Sequence, residues 1–222
     1  MQNWLFDIRS RPFVLLTILF LIITALVYYD VTESFDQNTV SFFAENTGNP
    51  TLDIIMQYIT ESGDVFNMMI FGILMLLIPK TRRVGITLMI LIVISTLLTG
   101  YIKCGVDRDR PEFEYEGVDF PIEISQDTYA LFCEGGFNAS YPSGHAARSM
   151  IFAIILGYAL SNRFPHGSYL LFIYPAMISL SRIYVLQHYP MDVIGGTIIG
   201  IMLAGILANR TKLYKIFEKS KT

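Results

Sequence analysis

Six long uncharged runs govern what this chain can become. They are Phe13–Tyr29, Val65–Pro79, Val84–Ile102, Ser149–Asn162, Gly167–Ser181 and Val193–Asn209, each near the length that crosses a bilayer once flanking motif residues are included. A water-soluble helix needs one polar face, and six such runs in 222 residues leave no polar faces for a soluble surface. With 53% hydrophobic residues and a mean hydropathy of +0.48, the chain reads as all-α, an integral membrane protein with six transmembrane helices in a single domain over residues 1–222. Phe13–Tyr29 follows Arg9 and Arg11 as a signal peptide would, but it ends in Tyr28-Tyr29-Asp30 without a small-residue cleavage site. It is therefore expected to be a retained first span.

Charge orients the spans. If both termini are cytoplasmic, the inner segments hold Arg9, Arg11, Lys80, Arg82, Arg83, Arg163, Arg210, Lys212, Lys215, Lys219 and Lys221, which is eleven of the sixteen Lys and Arg residues. Of nineteen acidic residues only Asp7 and Glu218 then lie inside. Five cations remain outside, Lys103, Arg108, Arg110, Arg148 and Arg182, and they gather around the motifs described below. The outer face has long loops at about 30–64 and 111–141. The first carries the turn signal Asn46-Thr47-Gly48-Asn49-Pro50 and room for an amphipathic helix near Leu52–Tyr58, with a structural role expected. The second holds seven acidic residues, no Lys or Arg, and aromatic residues from Phe113 to Tyr141, a mixture suited to anchoring at the membrane interface or covering a lipid headgroup.

Two cysteines, Cys104 and Cys133, both fall outside, where a disulfide and two free thiols are equally open readings. Asn138-Ala139-Ser140 has the form of a glycosylation acceptor. The small-xxx-small pair Gly196 and Gly200 suits close packing of helices inside the monomer, with a homodimer contact as the alternative. No metal-ligand spacing is present, and neither a metal nor a cofactor is expected.

The chemistry gathers at three places on the outer face: Lys103 and Arg110-Pro111; Pro142-Ser143-Gly144-His145; and Ser181-Arg182, His188 and Asp192. Lys103 and Arg110 are seven apart, which on a continuing helix puts them on one face, two turns apart. Ser143 is a good N-cap, and Gly144 lets an anion approach bare backbone N–H groups at a helix start. Lys103, Arg110 and Arg182 supply positive charge, the arginines as bidentate grips for phosphate oxygens. Two histidines can divide the remaining work, one attacking phosphorus and the other protonating the leaving oxygen. His188 is the better nucleophile because Asp192 can orient its ring, reaching back from a helix that Pro190 opens. Arg108 and Arg148 stand beside these motifs, either as partners of Asp107, Asp109 or the loop acids, or as contacts to a second phosphate or a polar headgroup.

Together, Lys103 with Arg110-Pro111, Pro142-Ser143-Gly144-His145, and Ser181-Arg182 with His188 and Asp192 resemble the three signature motifs of the type 2 phosphatidic acid phosphatase family of membrane lipid phosphatases. The resemblance implies a six-helix enzyme working without metal through a phosphohistidine intermediate. It implies His188 as nucleophile, Asp192 as its orienting partner, His145 as general acid, and Lys103, Arg110, Ser143, Gly144 and Arg182 as phosphate-binding residues. The expected partners are a phosphorylated membrane lipid and the bilayer, with no nucleic acid. The expected location is a multi-pass cell (inner) membrane, the site facing the extracytoplasmic or periplasmic side. Lipid A, undecaprenyl diphosphate, phosphatidylglycerophosphate and phosphatidate are candidate substrates. Phosphate transfer to another lipid or sugar is the alternative reaction, and a non-enzymatic channel or transporter is the rival from another class.

Overall fold

Four helices of this protein, α1, α3, α4 and α6, start where a side chain accepts from their first free N–H groups. The structure is a computed structural model, and it describes residues 7–113, 115 and 139–216. Helix α1 (Arg11–Tyr28) is capped by Ser10 with Pro12 in its first turn. After α2 (Glu33–Asn46), α3 (Pro50–Ser62) is capped by Asn49, whose side chain accepts from the N–H groups of Thr51 and Leu52. Asp64 caps α4 (Val65–Leu77), and α5 (Arg82–Val106) follows the short connection through Lys80. Ser143 caps α6 (Gly144–Leu160). A 3-10 turn over Gly167–Phe172 leads into α7 (Ile173–Tyr184). Pro190 opens α8 (Pro190–Thr211), and the described residues contain no strand.

All six apolar runs are helical. Three of the helices, α1, α5 and α8, are long and apolar enough to cross a membrane; α3 and α4, bent by 56° at their junction, form a fourth candidate as one broken span. Helix α6, at 17 residues, is apolar but shorter. The segment from 30 to 64, expected as a loop with one short helix, is instead two helices, α2 and α3. Helix α2 has no apolar stripe to announce it. It is held by what it buries, Val40 and the carboxylate of Asp36.

The sides of the helices divide cleanly. On α5, Val84, Leu88, Leu91 and Ile92 are buried, while Ile86, Ile90, Val93, Ile94 and Leu97 face outward. Leu15, Leu19, Leu21 and Ile22 of α1 are likewise exposed. Outward apolar surface of this extent suits hydrocarbon and not water. The core joins α5, α6 and α8 through Leu88, Leu91, Ile151, Ile155, Ala204 and Ala208.

Helices α6 and α8 make the most extensive contact in the fold. They approach because α8 offers a glycine stripe: a Cβ on Gly196 would lie 2.1 Å from the carbonyl oxygen of Ser143, and one on Gly200 2.5 Å from that of Ala147. The small-xxx-small pair thus serves packing inside the monomer, and α6 covers the surface a dimer contact would have used. Where α5 ends, Asp107 takes the left-handed conformation (φ 50°, ψ 42°) and its N–H bonds back to the Lys103 carbonyl. The helix therefore stops before Arg110, and the expected two-turn helical spacing of Lys103 and Arg110 does not hold. A reversal of the chain brings them together instead. Cys104 is disulfide-bonded. The acidic loop between 116 and 138, with Cys133 and Asn138, lies outside the described residues.

Candidate active site

The C-terminal ends of α5 and α7 meet the N-terminal ends of α6 and α8, so the three sequence motifs converge on one end of the bundle. Backbone bonds tie the segments together. The N–H of Ser143 donates to the Asp192 carbonyl at 2.9 Å, and that of Ser140 to the Arg108 carbonyl at 2.7 Å. Between α7 and α8 the chain turns tightly, with Leu186 at φ 56°. The N–H groups of Gln187 and His188 both point back to the Arg182 carbonyl, at 3.1 and 3.3 Å. This is why five residues separate Arg182 from His188: the turn folds the histidine back over the end of the helix that carries the arginine.

Helix α6 opens with Ser143, whose Oγ accepts from the N–H of Ala146 at 3.4 Å. Gly144 and His145 follow in its first turn, where free N–H groups and the helix dipole favour an anion. His145 sits against the α3–α4 junction, since a Cβ on Gly63 would come 3.3 Å from its ring. One terminal nitrogen of Arg148 lies 3.5 Å from its Nδ1 and donates to the Gly63 carbonyl at 3.4 Å.

Lys103 donates to the Ala139 carbonyl at 2.5 Å, Arg110 to the side-chain oxygen of Gln187, and Arg182 to the hydroxyl of Thr60 on α3 at 3.0 Å. Thr60, Gln187 and Gly63 escaped the sequence reading because none carries charge or falls in a motif.

His188 is 2% exposed, and its Nδ1 lies 3.5 Å from Oδ2 of Asp192. That same Oδ2 accepts from the Tyr189 N–H at 2.8 Å, so Asp192 reaches back from the third position of α8 as its placement after Pro190 implies. Burial, and then Arg182, Lys103, Arg110 and His145, hold the His188 ring well below the ordinary histidine pKa of 6.5. The ring is therefore neutral near pH 7, the form in which nitrogen can attack.

The same shift makes stability depend on pH. Below about 6.5 the unfolded chain takes a proton on this ring that the folded chain refuses, so the folded state loses stability as pH falls from there. Above 6.5 both forms are neutral and the ring contributes nothing. The melting temperature in detergent, followed from pH 8 down to 5, is expected to drop more steeply in the wild type than in His188→Asn.

Arg108 follows the first of the two sequence readings, as a partner of an outer-loop acid, though among the described residues it pairs with neither Asp107 nor Asp109. One terminal nitrogen donates to Asp36 on α2 at 2.8 Å, and the other to Asp192 at 2.9 Å. The sequence did not single out Asp36 among those loop acids. The signal that pointed toward it, a surplus outer cation needing a carboxylate, did not say which of seventeen outer acids would serve.

With this arrangement in view, the family comparison is decisive: residues 83–214 match the model of the PAP2 superfamily. The chain belongs to the PAP2 superfamily. The resemblance read from the motifs is borne out. Among curated relatives, an undecaprenyl-diphosphatase of Sulfolobus acidocaldarius is 32% identical over 151 residues, covering 68% of this chain and 66% of that one. The phosphatidylglycerophosphatase B of Bacillus subtilis is 26% identical over 215 residues, covering 92% of this chain and 97% of that one. The crystal structure of a transmembrane PAP2-type phosphatidylglycerolphosphate phosphatase from Bacillus subtilis superimposes with a TM-score of 0.70 at 22% identity, over 92% of this chain and 98% of that one. Aquifex aeolicus LpxE gives 0.52 at 24% identity, over 74% and 90%. These structures share the fold.

Proposed function

We propose that this PAP2 protein is a membrane lipid phosphatase that hydrolyses a lipid phosphomonoester or diphosphate at the extracytoplasmic face through a phosphohistidine on His188. The observation that carries the reading is the buried His188 ring, with Asp192 3.5 Å from its Nδ1 and the cations Lys103, Arg110 and Arg182 around it.

With Nδ1 turned to Asp192, Nε2 of His188 is the attacking atom. It forms a bond to phosphorus as the bond from phosphorus to the leaving oxygen breaks, and His145 supplies the proton that oxygen takes up. The imidazole becomes cationic in that step, and the Asp192 carboxylate stabilises it. Charge spread over the phosphoryl oxygens is met by Lys103, Arg110 and Arg182 together with Ser143 and the N–H groups that begin α6 at Gly144. His145, now neutral, then accepts a proton from water, whose oxygen attacks phosphorus and releases His188. No step needs a metal, since cations occupy every place where negative charge develops.

The six-span arrangement follows if α6 and the 167–184 segment cross beside α1, α4, α5 and α8. The surplus of Lys and Arg at the opposite end of the bundle from the site supports cytoplasmic termini and a site on the outer side of a multi-pass cell membrane. The names of the relatives favour undecaprenyl diphosphate and phosphatidylglycerophosphate as substrates, with lipid A and phosphatidate as further candidates.

The test is phosphate release by purified protein in detergent from those four lipids, with chelator present. Release from at least one that survives chelation is expected. A new phosphorylated acceptor in place of inorganic phosphate would instead establish transfer. No product from any of the four would overturn the reading.

A further inference from the structure

The family match begins at residue 83 and so excludes α2, yet α2 reaches the centre of the site. Asp36 is fully buried on this helix. Its Oδ2 accepts from Arg108 at 2.8 Å and from the Thr32 hydroxyl at 3.1 Å; its Oδ1 accepts from the N–H of Met191 at 3.1 Å. The next residue, Gln37, donates to the Tyr189 hydroxyl at 3.0 Å. The ring of Tyr189 lies 4.1 Å from the guanidinium carbon of Arg108. One arginine thus bridges a carboxylate of α2 and the carboxylate of α8 that faces His188, with an aromatic ring fixing its plane.

A buried carboxylate given three donors is a costly arrangement to keep for packing alone, because apolar side chains of equal volume would fill the space without desolvating charge. Its geometry suits orientation. With Oδ1 of Asp192 held by Arg108 and Oδ2 held by the Tyr189 N–H, the carboxylate cannot rotate away from Nδ1 of His188. Asp36 also cancels the charge of Arg108, leaving that of Asp192 for the imidazole it faces.

We infer that Asp36 and Arg108 are positioning residues of the reaction: Arg108, anchored by Asp36 and stacked on Tyr189, holds the Asp192 carboxylate against His188. The inference rests on His188 as nucleophile. It makes α2, outside the family match, part of the catalytic apparatus of this chain.

The two charges pull the His188 ring in opposite directions, and this separates positioning from mere support. The groups facing His188 are Asp192 of α8, Lys103 of α5, Arg110 beyond it, His145 of α6 and Arg182 of α7, and neither substitution alters any of them. Nitrogen-15 NMR of the His188 ring in detergent, assigned by loss of its signal in His188→Asn, reads the effect without substrate. The midpoint of its titration is expected to fall below wild type in Asp36→Asn, to rise above it in Arg108→Gln, and to return toward it in the double variant.

In the lipid assay, kcat is expected to fall about 10- to 100-fold in Asp36→Asn with KM unchanged, the size typical of removing the partner that orients a reacting group. Midpoints that coincide with wild type in both single variants, or wild-type kcat in Asp36→Asn, would overturn the inference. The neutral double variant covers the case in which a single variant does not fold: its kcat should fall by the same factor, and a folded double variant with wild-type kcat also overturns it. If wild type releases no phosphate, the phosphatase reading fails, while the ring titration still decides the positioning role.

Discussion

Substituting His188 by alanine is expected to lower turnover of the lipid substrate by roughly 10⁴- to 10⁶-fold, the range seen when the nucleophile of a covalent mechanism is removed. The loss should appear in kcat with little change in KM, because Lys103, Arg110, Arg182 and the N-terminal end of α6 still hold the phosphate. Nucleophile and orienting carboxylate act as a unit, so adding Asp192→Asn to His188→Ala should cost nothing further. A second loss of comparable size in the double variant would mean that Asp192 serves something other than the His188 ring. Steady-state kinetics of the two single variants and the double variant in one detergent suffice to decide.

The second large effect lies in a residue that touches no substrate. Gly196→Ala places a methyl group 2.1 Å from the Ser143 carbonyl oxygen and 3.0 Å from its carbon, both backbone atoms, and 3.2 Å from the Cβ of Ala146. No flexible side-chain end is there to yield. Either α8 withdraws from α6 or the turn at Ser143 shifts, and that turn is bonded to the backbone of Asp192. Overpacking of this kind costs about 1–3 kcal/mol. A displacement of about 1 Å at a phosphate cradle costs about 10²-fold in rate. Thermal unfolding and kcat/KM should both fall. Gly105→Ala, whose added Cβ meets nothing within 4 Å, is the control and should leave both near wild type.

The helical fold was legible because it rests on long-range composition: each of the six uncharged runs is helical, and the three motifs meet at one end of the bundle. One cap was legible too: Ser143 announces the start of α6 by the oxygen it offers to free N–H groups. Two kinds of feature were not.

Helix α2 is mostly polar along its length, and its contacts with Arg108, Tyr184, Leu186 and Tyr189 make a helix there worth its conformational entropy. The reversal after α5 depends on Asp107 entering the left-handed region, a choice a short polar side chain permits but does not announce. Both lie in the tertiary layer, and the error about Lys103 and Arg110 follows from it, since sequence distance alone extended a helix past the point where the chain turns. A loop acid was one of the partners the sequence allowed for Arg108, without saying which. The one that serves is Asp36, distant in sequence and signalled by no motif.

The most direct test of the account is to quench the enzyme with denaturant during turnover of a lipid carrying a radiolabelled reacting phosphate and to look for label on the protein. The account predicts label that is lost in acid, survives alkali, maps to His188 and is absent from His188→Ala. Phosphate release by the wild type with no label trapped on any time scale of turnover, or label that persists in His188→Ala, would contradict it.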